Sequence, residues 1–218
     1  MKIYVSKAEE CGHEELNKCS KQLQVLKSAT DLSFAPRREE LAELCPDLEA
    51  GLRCIRSYTR RCMTLPQRQQ FMKIYKGTDE VIRDLCREGD YQNEFLKHAG
   101  CLRTVKPQHK KCEEKYQETM LSLKTPKANN TNNEQQAEQN TNDDVRKVCC
   151  SFRQYLDCSE DVTRRTCGAE TGTFIRGFLK KMSSTLEKDY CEEYYRQGVN
   201  QCPNIFSSAS SLVTASTV

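Results

Sequence analysis

The 218-residue sequence has no tryptophan, three histidines, nine glycines and six prolines. No apolar run approaches the roughly 18 residues that a membrane-spanning helix needs. A strong charge of one sign is also missing, because 34 Lys and Arg are mixed with 31 Asp and Glu for a net charge of +3. A nucleic-acid-binding surface is usually far more basic. We therefore expect neither a transmembrane segment nor a nucleic-acid partner.

The motifs of common catalytic and metal sites are missing as well. The sequence has no C-x-x-C pair, no G-x-S-x-G elbow, no Walker A loop and no H-E-x-x-H helix. The histidines show no ligand spacing of a standard zinc site, and they are His13, His98 and His109. These absences predict no metal ligand and no cofactor.

One dipeptide, Cys149-Cys150, begins like the C-C-x-x-H-D string of secreted phospholipases A2. However, Arg153 and Gln154 stand where the catalytic base and the calcium ligand would be. Acidic pairs are frequent, but two carboxylates perform acid–base chemistry only when their surroundings separate their pKa values. We therefore predict no catalytic residues and a protein that is not an enzyme.

Cysteine, in contrast, is abundant. The hydrophobic residues make up only 37% of the chain, which limits the stabilisation that burial alone can provide. Fourteen cysteines without metal-ligand spacing are typical of a secreted protein with seven disulfides, each contributing about 2–4 kcal/mol. They are Cys11, Cys19, Cys45, Cys54, Cys62, Cys86, Cys101, Cys112, Cys149, Cys150, Cys158, Cys167, Cys191 and Cys202.

The two ends of the sequence lack recognisable targeting segments. Residues 1–5 are too short for the apolar core of a secretory signal, so we expect that signal to be absent from this sequence, either removed or missing from a fragment. Residues 206–218 are uncharged and rich in Ser, Thr and Ala, which predicts a flexible tail. Secretion is therefore inferred from the cysteines alone.

Composition changes sharply over residues 124–144, which contain almost no large apolar side chain. We predict a disordered Asn/Gln-rich linker there, between an N-terminal half at 1–123 and a C-terminal half at 145–205. The linker contains the sequon Asn129-Asn130-Thr131, so Asn129 is the expected glycosylation site.

The two halves share a cysteine pattern. A shift of 105 residues superimposes three cysteine pairs, Cys45 on Cys150, Cys62 on Cys167 and Cys86 on Cys191. Cys54 falls one residue from Cys158, and the string YTRRC reappears as VTRRTC. We interpret this as an internal duplication, in which the chain before Cys45 has no counterpart.

Apolar residues recur with helical spacing in both halves. These residues are Phe71, Ile74, Tyr75, Thr78, Val81, Ile82 and Leu85, then Phe174, Ile175, Phe178, Leu179, Met182 and Leu186. Pro46 and Pro66 suit first helical turns, and Gly168 suits a helix end. The pattern predicts an all-α, disulfide-bonded helical bundle built from two related helical-hairpin halves, each with a third helix.

This hairpin predicts specific disulfides. If helices 46–62 and 67–87 are antiparallel, Cys86 ends beside Cys45, whereas Cys62 lies at the turn, out of bonding range of Cys86. We therefore predict Cys45–Cys86. The repeat adds Cys150–Cys191. Cys11 and Cys19 are separated by the same interval as Cys54 and Cys62. On antiparallel helices, this equal spacing suggests two further bridges, Cys11–Cys62 and Cys19–Cys54.

Two sets of side chains are candidates for binding. Aromatic residues could line an apolar pocket, or they could fill the core: Phe71, Tyr75, Phe174, Phe178, Tyr190, Tyr194 and Tyr195. Basic pairs could bind anionic glycans, or they could be solvated helix faces: Arg37-Arg38, Arg60-Arg61, Lys110-Lys111, Arg164-Arg165 and Lys180-Lys181.

Several local features also occur in one known family. They are the adjacent Cys149-Cys150, Cys167-Gly168, the segment from Phe174 to Cys191, Cys202-Pro203, and the strings LRCIRSYTRRC at 52–62 and FLKHAGC at 95–101. Because of these features, the sequence from about residue 10 to residue 205 resembles the insect 27-kDa hemolymph glycoprotein family. The resemblance implies secretion into body fluid, glycosylation and an all-helical disulfide-bonded fold, and it supplies no catalytic residues.

Together these features predict a secreted, extracellular, non-enzymatic glycoprotein that binds a small apolar molecule or another extracellular protein. One alternative is a signalling or receptor-associated module, by fold-level analogy with the ligand-binding repeats of glial-growth-factor receptors. Another alternative is a structural or storage component of hemolymph. A cavity of a few hundred Å³ would favour a small ligand, whereas an exposed apolar patch would favour a protein partner.

Overall fold

The computed structural model describes residues 11–21, 23, 37–124, 134–195 and 202, which form an all-helical bundle without strands in those ranges. The elements are α1 (His13–Lys21), α2 (Arg38–Cys62), α3 (Leu65–Leu85), α4 (Asp90–Thr104), α5 (Lys106–Lys124), α6 (Glu134–Cys167), α7 (Ala169–Met182), a π-helical segment (Leu186–Cys191) and α8 (Glu192–Tyr195). Among them, no helix is long and apolar enough to cross a membrane. Asn129 and the tail at 206–218 lie outside the described residues.

The first predicted hairpin is formed by α2 and α3. At the start of α3, the Thr64 backbone N–H donates to Gln67 Oε1 at 3.0 Å, and Pro66 lies in the first turn as predicted. The prediction for Pro46 was wrong, because α2 begins at Arg38 and Pro46 lies inside the helix. The earlier start is explained by packing, since Leu41 is completely buried in the core.

The second hairpin is formed by α6 and α7. As predicted, α6 ends at Cys167, and Gly168 adopts a φ of +89°, which suits glycine. The linker predicted at 124–144 is partly wrong, because α6 already begins at Glu134. Glu, Gln and Ala are good helix formers, and Asn142 of this stretch accepts a hydrogen bond from the Tyr194 hydroxyl.

A single continuous core joins most of the helices. Its buried side chains are Leu41, Leu48, Leu52 and Ile55 of α2, Val81, Ile82 and Leu85 of α3, Phe95, Ala99 and Leu102 of α4, Phe152 and Leu156 of α6, and Ile175, Phe178 and Leu179 of α7. The helical spacing therefore identified much of the core, and it missed the contributions of α4 and α6.

All fourteen cysteines are paired. The bridges are Cys11–Cys62, Cys19–Cys54, Cys45–Cys86, Cys101–Cys167, Cys112–Cys158, Cys149–Cys191 and Cys150–Cys202. Their Cα–Cα distances of 5.1–5.8 Å are ordinary for disulfides. The first three bridges agree with the predicted pairs.

The predicted pair Cys150–Cys191 was wrong. Cys191 bonds to Cys149, and Cys150 bonds to Cys202. The second half has one additional residue between Cys158 and Cys167, so the predicted duplication aligns the segment before Cys158 with the first half at a shift of 104 residues. With that shift, Cys149 is the counterpart of Cys45.

The bridges divide the chain differently from the predicted halves. Three bridges lie within residues 11–86, and four lie within residues 101–202. Cys101 and Cys112, expected in the N-terminal half, bond to α6. The composition change at 124–144 therefore falls inside the second bridged group. The two groups share one bridging pattern. Cys11 and Cys19 bond to the last residue and an earlier turn of α2, and Cys101 and Cys112 bond to the last residue and an earlier turn of α6.

Non-covalent contacts between α3 and the α7 region join the two bridged groups. Lys181 Nζ lies 2.6 Å from Asp84 Oδ2 of α3, and it also lies 3.9 Å from the ring centroid of Tyr91 in the first turn of α4. The Thr185 hydroxyl donates to the Lys73 carbonyl at 2.5 Å. Since no disulfide crosses between the groups, this interface and the shared core set their relative position.

Candidate functional site

The predicted aromatic residues mostly fill the core. The Phe174 and Phe178 rings pack against Phe95 at centroid distances of 6.4 and 6.1 Å. Tyr194 is buried, whereas Tyr190 remains 38% exposed. Most of these aromatic side chains are therefore occupied by packing and do not form the apolar ligand pocket considered from sequence.

An open groove of about 520 Å³ lies between α6, α7 and the last helical turns. We call it the α6–α7 groove; it is lined by Arg153, Leu156, Arg176, Lys180, Glu187, Lys188, Glu192 and Tyr195. Several of these charges are paired, since Arg176 Nη1 lies 2.6 Å from Asp157 Oδ1 and Lys180 Nζ lies 2.9 Å from Glu187 Oε1. Six of the eight lining side chains are charged, so the groove does not resemble an apolar carrier site.

Two titratable groups, one lining this groove and one beside it, have shifted pKa values. Burial raises the pKa of Tyr195, whose hydroxyl donates to the Cys149 carbonyl at 2.6 Å. Burial opposes ionisation of Glu160, but hydrogen bonds from Arg164 and Arg176 lower its pKa below the usual range. These groups are a neutral phenol and an ionised carboxylate at neutral pH, and both are held in structural contacts.

A second surface lies on the outer side of α3, and we call it the α3 surface. A shallow groove of about 560 Å³ is lined there by Pro66, Gln69, Gln70, Met72, Lys73 and Lys76. Leu65 and Ile74 lie on the same helix and are 57% and 60% exposed. Gln70 connects the surface to Tyr190, whose hydroxyl lies 2.8 Å from Gln70 Nε2.

Ile74 shares the helical spacing of buried residues but is itself exposed. Only the C-terminal part of α3 is deeply buried, where Val81, Ile82 and Leu85 pack inward and Gly77 lies against the α7 region. Phe71 and Tyr75 are half-buried and stack with centroids 5.8 Å apart. Helical spacing identifies side chains that share a face, but it does not say how much of that face a neighbouring helix covers.

The predicted basic pairs are largely engaged with acidic side chains. Arg61 Nη2 lies 2.5 Å from Glu15 Oε1, and Arg165 Nη2 lies 2.5 Å from Asp161 Oδ2. Other members of these pairs follow the same pattern: Arg37 pairs with Glu40, Arg38 with Glu88, Arg164 with Glu160, Lys180 with Glu187 and Lys181 with Asp84. This arrangement fits solvated helix faces better than a glycan-binding site.

Sequence analysis missed one polar cluster at the contact between α4 and α7. Candidate metal-ligating atoms of Glu94, His98 and Glu170 all lie within 4.8 Å of one another. The Glu94-x-x-x-His98 spacing places two of them on adjacent turns of α4 and could have been found in the sequence. Glu170 could not, because only the packing of α7 on α4 brings it close.

A second buried histidine occurs at the contact between α5 and α6. The Thr163 hydroxyl donates to the Ser159 carbonyl at 2.7 Å, so His109 Nε2 must donate to Thr163 Oγ1, also at 2.7 Å. Burial lowers the pKa of His109, and the imidazole is therefore neutral at pH 7.

Comparison with known proteins adds no relative to this description. No family model, curated protein or solved structure matches the chain. The function must therefore be inferred from the bridges and the exposed surfaces.

Proposed function

We propose that this chain is an extracellular, non-enzymatic binding protein that recognises a protein partner through the α3 surface. Seven disulfides support an oxidising compartment, because cytosolic proteins rarely retain such bridges. Membership of the hemolymph glycoprotein family, with glycosylation at Asn129, remains part of this proposal and is supported by the local sequence features alone.

Leu65 and Ile74 are the exposed large apolar side chains of α3, and their exposure supports this choice of surface. An exposed large apolar side chain loses unfavourable contact with water when a partner covers it. One disulfide, Cys45–Cys86, joins α2 to the C-terminal end of α3 and holds the hairpin together. A rigid helix face binds with less loss of conformational entropy than a loop.

The lining of the α3 surface indicates the chemistry of the partner. The groove is lined by Lys73 and Lys76 and by no acidic side chain, and Lys76 Nζ lies 3.7 Å from Glu80 Oε1 on the next turn. A complementary partner would present apolar side chains for Leu65 and Ile74 and a carboxylate for Lys73. A small apolar ligand is less consistent with the structure, because most of the candidate aromatic residues are used in packing.

Site-specific photo-cross-linking tests this proposal. The disulfide-bonded chain, with a photoreactive amino acid at position 72, is incubated in extracellular fluid from its source. We expect one adduct that is absent when the same amino acid replaces the exposed Gln117 of α5. The partner is then purified, and its affinity is measured for the unmodified chain and for Ile74→Glu and Lys73→Glu.

Both variants should bind at least about tenfold more weakly, the effect of losing 1.4 kcal/mol, and both should retain the unfolding temperature of the wild type. Lys106→Glu provides a charge-reversal control on another helix. Equal cross-linking from positions 72 and 117, or unchanged affinity of both α3 variants, would contradict the proposal.

A further inference from the structure

The side chains of Glu94, His98 and Glu170 form a compact donor set between α4 and α7. Glu94 and His98 are one helical turn apart on α4, and His98 Nε2 lies 3.0 Å from Glu94 Oε1. Glu170 projects from the first turn of α7, and its carboxylate lies within 4.8 Å of both other groups. Imidazole nitrogen and carboxylate oxygen are both ligands that zinc accepts in proteins.

The side chains packed around His98 fix the orientation of its ring, as neighbouring side chains do for metal-binding histidines. The histidine is only 2% exposed, and its ring stacks on Phe174 with centroids 4.5 Å apart. Its Nδ1 lies 3.0 Å from Thr171 Oγ1. A hydrogen bond donated by Nδ1–H to Thr171 leaves a lone pair on Nε2, directed toward the carboxylates, which is the arrangement seen for histidines that bind metals.

We propose that Glu94, His98 and Glu170 bind one divalent transition-metal ion, for which Zn²⁺ is the best match. His98 would supply a nitrogen ligand, and each glutamate would supply an oxygen ligand. Both carboxylates are exposed, so a water molecule can complete a tetrahedral set. The ion would link α4 to α7 near the Cys101–Cys167 bridge.

Lys97 acts as an internal competitor for this site. Its ammonium group forms an ion pair with Glu170, and this hydrogen bond lowers the pKa of the Glu170 carboxyl. The lysine side chain is 54% exposed and can rotate into solvent when a cation replaces it. Removal of the ammonium group should therefore raise the affinity for the metal ion. No such increase is expected if Glu94, His98 and Glu170 only stabilise the contact between α4 and α7.

Isothermal titration of the chelator-treated, disulfide-bonded chain with Zn²⁺ tests the proposal. We expect one site per chain, and Co²⁺ in its place should give the visible absorption of a four-coordinate complex. Glu94→Gln and Glu170→Gln should each weaken the affinity by at least about tenfold. Lys97→Gln should bind Zn²⁺ more tightly than the wild type. His98→Gln should abolish the Co²⁺ absorption if the variant folds.

Glu88→Gln is the matched control, because Glu88 is 87% exposed and lies outside the donor set. His13→Gln controls for binding at another histidine. Equal Zn²⁺ affinity in the wild type, Glu94→Gln and Glu170→Gln would overturn the assignment and would indicate adventitious binding elsewhere. Absence of saturable Zn²⁺ binding in both the wild type and Lys97→Gln would overturn it as well.

Discussion

Gly77 of α3 lies directly against the backbone of Met182, the residue 105 positions later. A Cβ atom on Gly77 would stand 2.6 Å from the Met182 carbonyl oxygen, well inside van der Waals contact. Glycine at position 77 therefore permits the two bridged groups to meet. The duplication remains a prediction. If two repeats pack about an approximate twofold axis, equivalent residues near that axis contact each other. Gly77 and Met182 are equivalent under the shift of 105 residues, and their contact has this form.

Gly77→Ala should destabilise the protein, although alanine favours a helix by about 1 kcal/mol over glycine. The added methyl group meets backbone rather than a movable side chain, and such overpacking costs about 1–3 kcal/mol. Denaturant unfolding measures the change. Gly177→Ala is the control, since nothing lies within 4 Å of its Cβ position, and it should stabilise α7 by about 0.5–1 kcal/mol. Stabilisation by both substitutions would show that α3 and α7 do not approach this closely.

Asp79 connects α2 to α3 through its carboxylate. It pairs with Arg56 of α2 and lies 2.9 Å from Arg83 Nε, while only 13% of its side chain is exposed. Asp79→Ala leaves the partly buried Arg56 without its partner and should cost about 1–3 kcal/mol of unfolding free energy.

The exposed pair of Arg165 and Asp161 provides the comparison for that variant. Asp161→Ala should change the unfolding free energy by no more than about 0.5 kcal/mol, because solvent screens exposed pairs. If the two substitutions have the same effect in urea unfolding, the α2–α3 pair does not contribute as described.

His109 predicts a dependence of stability on pH. Burial lowers its pKa below that of an exposed histidine, about 6.5. As the pH falls below that value, the unfolded chain takes up a proton that the folded chain excludes, so the free energy of unfolding falls. The stabilisation is therefore fully present above the unfolded-state pKa and is lost toward acid.

His109→Gln tests this dependence, because the glutamine amide can still donate to Thr163. Unfolding in urea at several values between pH 7 and pH 5 should give a shallower fall for the variant than for the wild type. Parallel pH profiles for the two proteins would show that His109 does not titrate differently in the folded and unfolded chains.

The helical architecture and three bridges could be predicted because both depend on local spacing. The pairs Cys11–Cys62 and Cys19–Cys54 follow from equal intervals on antiparallel helices. The mistaken partner of Cys150 has an equally simple cause, because one inserted residue changes the repeat shift. A uniform shift cannot choose between two adjacent cysteines.

Other features depend on contacts that spacing does not encode. Ile74 shares a helical face with buried residues, but no neighbouring helix covers it fully. Glu170 reaches His98 only through tertiary packing. The early start of α6 was missed because the polar composition suggested disorder, whereas Glu, Gln and Ala also favour helices. The site was therefore harder to predict than the fold.

The seven bridges close two separate groups, residues 11–86 and 101–202, which are joined by the peptide chain at 87–100 and by non-covalent packing but by no disulfide. One variant carries a site-specific protease sequence after Glu88, and a second carries it within 125–133. After complete cleavage, non-reducing denaturing electrophoresis should show two separated fragments for the first variant. The second variant should remain one species until a reductant is added, because Cys101–Cys167 and Cys112–Cys158 span the cut. Fragments that stay linked after cleavage at 88, or that separate without reductant after cleavage at 125–133, would contradict this arrangement.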